Sequence, residues 1–208
     1  MNALIISELV CKDRGPYSLQ IGPGRVAGLQ GASGSGKTLL LRAIADLDEH
    51  GGEVMLGDIR CEDIPAPQWR RQVGLLQAES FWWHDRVGDH FFVSLSQFRS
   101  YLLELGFEES VLSWQVARLS TGEKQRLAIV RLLQNRPRAL LLDEPTASLD
   151  AANIERTENL LLAYCRRQQV PMLWVSHDPG QLRRVADMVF ELDDSGHLQP
   201  LPEVPHGR

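Results

Sequence analysis

Eight consecutive residues, Gly31-Ala32-Ser33-Gly34-Ser35-Gly36-Lys37-Thr38, satisfy every fixed position of the pattern G-x-x-x-x-G-K-[ST]. The chemistry that this spacing suits is the grip on a chain of phosphates. Glycines let the backbone curl so that successive N–H groups face one phosphate with no Cβ in the way. The N-terminus of a following helix adds positive potential. Lys37 offers a point charge to the β- and γ-phosphates, and the Thr38 hydroxyl is placed to ligate Mg²⁺. An apolar strand, Val26 to Gln30, leads into the loop, and Leu39, Leu40 and Leu41 open the helix that leaves it. That context separates the motif from a Gly/Ser-rich turn that happens to carry Lys-Thr. The nucleotide-binding stretch is read as 31–39, ending at Leu39.

A second group of chemical residues lies more than a hundred positions on. Ala139-Leu140-Leu141-Leu142-Asp143-Glu144 reads as an apolar strand that ends in two carboxylates. Asp143 at the tip is suited to holding Mg²⁺. Glu144, one residue further, points another way and is suited to act as general base toward an attacking water. Asp150, in Ser148-Leu149-Asp150, is read as a loop acid reaching toward a neighbouring subunit. His177 follows the apolar run Met172 to Ser176. Alone it would be a capped strand end, but beside the other motifs it reads as a γ-phosphate contact. The histidines His50, His84, His90, His197 and His206 form no metal set by spacing, and Asp85 and Asp89 near His84 and His90 read as solvated surface.

The elements that must carry these groups follow from periodicity and breakers. Short strands are expected at Ser18 to Ile21 and Arg25 to Gln30, around the Pro23-Gly24 turn. A helix follows from Lys37 to about Leu47, then a strand from Glu53 to Ile59, a short helix opening at Pro67, and a strand from Val73 to Gln77. From Ala78 to Arg118 aromatics and then helical periodicity (Leu102, Leu103, Leu105, Val111, Leu112) indicate an inserted helical lobe. Helix Thr121 to Asn135, strand Ala139–Leu142, a helix around Ile154 to Tyr164, strand Met172–Val175, helix Pro179–Ala186 and strand Met188–Leu192 complete the chain. Strands alternating with helices imply an α/β core: a mostly parallel sheet covered on both faces, with ligands beyond the carboxyl ends of its strands.

Bulk properties narrow the class. The 208 residues are 43% hydrophobic and 24% charged, as in an ordinary globular domain. A net charge of −5, without a basic run, argues against a nucleic-acid binder. Cys11, Cys61 and Cys165 are far apart, which fits a reducing compartment. No apolar run nears the roughly 18 residues of a membrane span, and the N-terminus lacks a signal-peptide pattern. The chain is read as cytoplasmic, brought to a membrane only by another polypeptide.

Leu119-Ser120-Thr121-Gly122-Glu123 is first of all a helix start, because Ser120-x-x-Glu123 is a capping box. It also closely resembles the signature of the ABC ATPases, and with the phosphate loop, Gln77, Asp143-Glu144, Asp150 and His177 in order the resemblance spans essentially the whole chain. It implies a P-loop NTPase with an N-terminal antiparallel β lobe and a compact α-helical lobe, the core being 1–77 with 119–208 and the lobe 78–118. It implies ATP hydrolysis with Mg²⁺, in a head-to-tail homodimer that traps two ATPs between the phosphate loop and the opposite Ser120, Thr121, Gly122 and Glu123. Gln77 would touch Mg²⁺ or water and report occupancy to the helical lobe. Two departures stand out: Thr121 where glycine is common, and no clear aromatic for the adenine, for which Tyr17 is the candidate.

The resemblance further implies a separate transmembrane permease that holds the chain on the inner face of the cell membrane. Phe81-Trp82-Trp83 and Phe91-Phe92 are either the small lobe's core or a docking patch for that partner. Trp69-Arg70-Arg71, Glu79-Ser80-x-Trp82-Trp83 and Leu173 to Asp178 resemble small bacterial subunits typified by an iron-export system. The competing readings are a soluble ABC ATPase acting on nucleic acid or ribosomes, and a small-molecule kinase that shares only the phosphate loop. The absence of basic arms speaks against the first, and Ser120–Gln125 with His177 against the second.

Overall fold

The computed structural model describes residues 2–193 and 196–202, so His206 lies outside the described residues. The chain runs β1 (Leu4–Cys11), β2 (Arg14–Ile21), β3 (Val26–Gln30), α1 (Lys37–Ile44), β4 (Gly51–Leu56), β5 (Ile59–Arg60), α2 (Ala66–Gln72) and β6 (Val73–Leu76). After α3 (Arg99–Glu104) come α4 (Thr121–Leu133), β7 (Ala139–Asp143), α5 (Ala151–Gln168), β8 (Met172–Val175), α6 (Pro179–Val185), β9 (Met188–Leu192) and β10 (Leu198–Pro200).

Two sheets result. One is antiparallel, in the order β2-β1-β4-β5, and the other has the order β10-β9-β3-β8-β7-β6, parallel except for β10 at its edge. Alternation along the parallel strands sends side chains to two cores. Leu140, Leu142, Met172 and Trp174 pack toward α4, α5 and α6 on one face. Ala139, Leu141, Leu173 and Val175 pack on the other face with α1 and the antiparallel sheet. Trp69 of α2 is fully buried and donates its indole N–H to the Ile44 carbonyl at 2.9 Å, fixing α2 to the end of α1. Strands buried on both faces read as unbroken apolar runs, which is why 139–142 and 172–175 were legible.

The segment 78–118 departs most from expectation. Its helical content is the six-residue α3 and four 3₁₀ turns. α3 stops because Gly106 takes φ 80, with Gly106 N–H donating to Leu103 and Phe107 N–H to Leu102. That is a Schellman stop, closed by the buried Phe107. Polar side chains organise the rest. His90 is wholly buried (0% exposed), which corrects its reading as solvated surface. Its Nε2 accepts the N–H groups of Trp83 and His84 at 3.1 Å each, and its Nδ1 lies 3.0 Å from the Arg86 carbonyl. Gln134 at the end of α4 accepts from Phe92 N–H and donates to the His90 carbonyl, a polar cross-brace between α4 and the lobe.

Candidate nucleotide site at the strand ends

Parallel register brings the chemical residues to one edge. Leu29 of β3 and Asp143 of β7 both pair with Val175 of β8, and Leu76 of β6 pairs with Leu142. The next residues of each strand, Gly31, Glu144, Ser176-His177 and Gln77, therefore emerge side by side at the carboxyl end, as such sheets require. The Glu144 N–H donates to the Val175 carbonyl at 3.2 Å, and the Ser176 N–H to that of Leu29.

The loop 31–36 turns into α1 at Gly36, whose φ of 108 is open to glycine. Lys37 is buried, and its Nζ donates to the Gly31 and Ala32 carbonyls at 2.8 Å each, so the ammonium caps the loop from within. Burial lowers its pKa, opposed by the Glu144 and Asp143 charges. Ser33 and Gly34 at the loop's crest are exposed, Leu39 packs at the margin of the core, and the buried Ser35 Oγ has no hydrogen-bond partner. Arg14 of β2, which sequence reasoning passed over, donates to the Ser35 carbonyl. Its only sequence signal was a cation in the loop before a strand.

The Thr38 hydroxyl donates to the Asp143 carboxylate (Oγ1 to Oδ2, 2.7 Å). Glu144 stands beside them at φ 48, in the left-handed region. Its Oε1 is buried, accepts no hydrogen bond and lies 3.5 Å from His177 Nε2. Burial raises the Glu144 pKa, against the His177 charge and with that of Asp143, which makes it a stronger base. These residues fit Mg²⁺ and a phosphate chain. A hydroxyl and a carboxylate already meet where a hard, oxygen-seeking cation would sit, and two buried polar atoms, Ser35 Oγ and Glu144 Oε1, await a partner.

Other expected residues sit elsewhere on the chain. Gln77 is one step beyond the Leu76–Leu142 pair, level with Asp143, and its carbonyl accepts from Gln125 of α4 at 3.4 Å. The Ser120 Oγ accepts from Glu123 N–H while the Glu123 carboxylate takes the Ser120 N–H at 2.8 Å, a complete capping box on an exposed helix start with Thr121 beside it. Gly122 packs against the 148–149 turn, where a Cβ would sit 3.0 Å from the Ser148 carbonyl oxygen. Asp150 caps α5, accepting from the Asn153 N–H at 3.0 Å.

Tyr17 does not serve as expected. Period-2 alternation in β2 puts it on the inward face with Leu19 and Ile21, and at 1% exposure its ring is not open to an adenine.

Behind Gln77 lies an apolar cleft of about 300 Å³ lined by Leu47, Gln77, Phe81, Trp83, Phe92 and Arg131 among others. It divides the aromatics. Trp82 and Phe91 pack on the core, while Phe81, Trp83 and Phe92 are 71%, 59% and 73% exposed. Arg131 of α4 donates to the Phe81 carbonyl at 2.7 Å and lies over both Trp82 and Trp83. Burial lowers its pKa to about 10.

The family described as ABC transporter matches residues 15–147. The aliphatic sulfonates import ATP-binding protein SsuB 2 of Pseudomonas syringae is 36% identical over 178 residues, covering 85% of this chain and 62% of that protein. The probable iron export ATP-binding protein FetA of Escherichia coli is 28% identical, covering 88% of this chain and 85% of its own. The chain thus spans about six tenths of the sulfonate protein's length and most of the iron export protein's. A solved ATP binding subunit of an ABC transporter superposes with a TM-score of 0.84 at 21% identity, over 95% of this chain and 90% of its own, which speaks to the fold alone. By the matched family and by these relatives, the chain belongs to the ABC transporter family, and its relatives there are ATP-binding proteins.

Proposed function

We propose that this chain binds Mg-ATP, hydrolyses it to ADP and phosphate, and so drives a separate membrane permease. The observation that carries this reading is the Glu144 carboxylate, whose buried Oε1 accepts no hydrogen bond and lies 3.5 Å from His177, at the edge where Lys37 and the Thr38–Asp143 pair meet the phosphate loop. Thr38 and Asp143 would hold Mg²⁺, with Gln77 beside them; when bound, the ion neutralises charge on the phosphate oxygens. The loop N–H groups and Lys37 orient the β- and γ-phosphates. Glu144 takes a proton from water as its oxygen attacks the γ-phosphorus and the bond to the β-phosphate oxygen breaks. His177 contacts the γ-phosphate and holds Glu144 in place. The test is Glu144→Gln: ATP affinity is retained while turnover falls by about 10²–10⁴, the usual worth of a general base. Loss of ATP binding would instead make Glu144 a structural residue.

The reading includes two copies arranged head to tail, each lending the helix start of Ser120, Thr121, Gly122 and Glu123 to the other's γ-phosphate, with Asp150 reaching toward the neighbouring subunit. Its support is an exposed helix start whose Gly122 lies against the turn that leads to Asp150. The permease would dock in the aromatic cleft and keep the chain at the inner face of the membrane; among the described residues no helix is long and apolar enough to cross one. The core as 1–77 with 119–208, and the lobe as 78–118, belong to the same reading.

For cargo we propose metal export. Its support is likeness to a protein named for probable iron export over 88% of this chain; the sulfonate import protein, at 36% identity, is the competing precedent. Deleting the chain should raise cellular iron under iron loading, and unchanged iron would remove this finer reading while leaving the ATPase intact.

A further inference from the structure

A cluster at the far end of α1 plays no part in the nucleotide site. α1 ends in a left-handed turn, with Asp46 at φ 56 and the Leu47 N–H donating back to the Arg42 carbonyl at 2.9 Å. Arg70 of α2 holds the Asp46 carbonyl with its guanidinium. His50 stands just before β4, and Cys61 opens the turn after β5. One ligand atom from each of Asp46, His50 and Cys61 lies within 4.8 Å of the other two. Around tetrahedral zinc, with bonds of about 2.0–2.3 Å, ligand atoms stand roughly 3.3–3.8 Å apart. Side-chain rotations of about an ångström would close the set.

Independent observations point to a ligand here. His50 Nδ1 is buried with no hydrogen-bond partner, a state native proteins rarely leave unexplained. The three residues open on a cavity of about 520 Å³, a route for an ion and a space for water. Of the other charges lining it, Asp48 is engaged with Arg42, and Glu53 and Glu62 with Arg60, while Arg70 stands 3.8 Å from the Asp46 carboxylate, a long contact that an ion would displace. The donors also differ in kind from the all-oxygen set of Thr38 and Asp143, because a sulfur and an imidazole select softer ions than Mg²⁺.

We propose that Asp46, His50 and Cys61 bind a thiophilic divalent transition-metal ion of the zinc class, with its fourth position open to water from the cavity. Burial first, and the Asp46 charge next, push the Cys61 thiol up to about 11, so the sulfur gives its proton to solvent as the ion binds. Leu47, between two of the ligands, lines the aromatic cleft. An ion here would therefore pin the turn beside that surface. The inference does not depend on ATP hydrolysis or on any cargo.

The test is cobalt(II) titration of the chelator-stripped full chain without nucleotide. One equivalent should give a thiolate-to-cobalt charge-transfer band with intense tetrahedral visible bands, and zinc should bleach both. Cys61→Ser should lose the charge-transfer band. His50→Gln should bind zinc at least about 100-fold more weakly in competition with a chromophoric chelator, since even partners outside a metal's ligand shell cost 10–100-fold. Both variants should keep wild-type circular dichroism and ATP binding. No charge-transfer band in the wild type, or one that survives Cys61→Ser, overturns the proposal. Should Cys61→Ser fail to fold, Asp46→Asn and His50→Gln carry the test, and undiminished zinc affinity in both overturns it.

Discussion

At the scale of single residues, burial decides which groups do chemistry and which do not. Lys37→Ala removes the one ammonium enclosed by the loop; ATP binding by fluorescence titration should then fall below detection, and wild-type affinity would sink the phosphate-loop assignment. His90 obeys the same physics with another outcome. Burial lowers its pKa, so the folded state favours the neutral ring that accepts two N–H groups. A depressed folded pKa gives stability that is present above the unfolded value of about 6.5 and lost as pH falls through the folded value. The urea midpoint should therefore drop between pH 7.5 and pH 5.5, and His90→Gln should flatten that part of the dependence. Trp82 and Trp83, each with ring centroids 4.7 Å from His90, make tryptophan fluorescence the local probe. Tyr17 and His90 share one lesson. Residue type proposed a surface role for each, while strand alternation and a polar cross-brace put both inside, and one sequence shows only the first of these.

At the scale of elements, legibility followed the range of the interactions. β7 and β8 announced themselves because a strand buried on both faces is apolar throughout, and α4 because Ser120 and Glu123 close a box within four residues. β1 was not singled out although it pairs with both β2 and β4, because its identity as a strand lies in those long-range partners. The strand expected from Glu53 to Ile59 divides into β4 and β5 at Gly57, where φ is 61. In 78–118 the apolar spacing resembled a helix, yet the Schellman stop at Gly106 and the His90 and Gln134 bonds won. Of the site, Lys37, Thr38, Asp143, Glu144 and His177 were readable because each sits at a fixed offset from a strand end. Arg14 was not, since it reaches the loop from another sheet. The cap itself gives a prediction: Ser120→Ala should cost about 1 kcal/mol of stability, measured by urea unfolding, the usual loss of a serine cap. No change would mean that α4 is held by its packing alone.

At the scale of the whole molecule the questions are of assembly. Size-exclusion chromatography with light scattering on Glu144→Gln should show a dimer with Mg-ATP and a monomer without it, and Ser120→Arg in that background should abolish the dimer. A monomer throughout, with ATP bound, would remove the head-to-tail reading for the isolated chain. Phe81→Ser with Trp83→Ser should leave ATP binding unchanged while ending co-purification with a membrane fraction, if the exposed aromatics are where a permease docks. Both surfaces lie on one rod. Ser120 caps α4, and Arg131, which grips Phe81, Trp82 and Trp83, stands eleven residues beyond that cap, about 16 Å at the usual helical rise. Over that lever arm a tilt of about 10° at the capped end moves the aromatic grip by about 3 Å, more than half a helical turn. α4 therefore has the proportions of a rocker: angular play at its capped end becomes linear travel at the exposed aromatics.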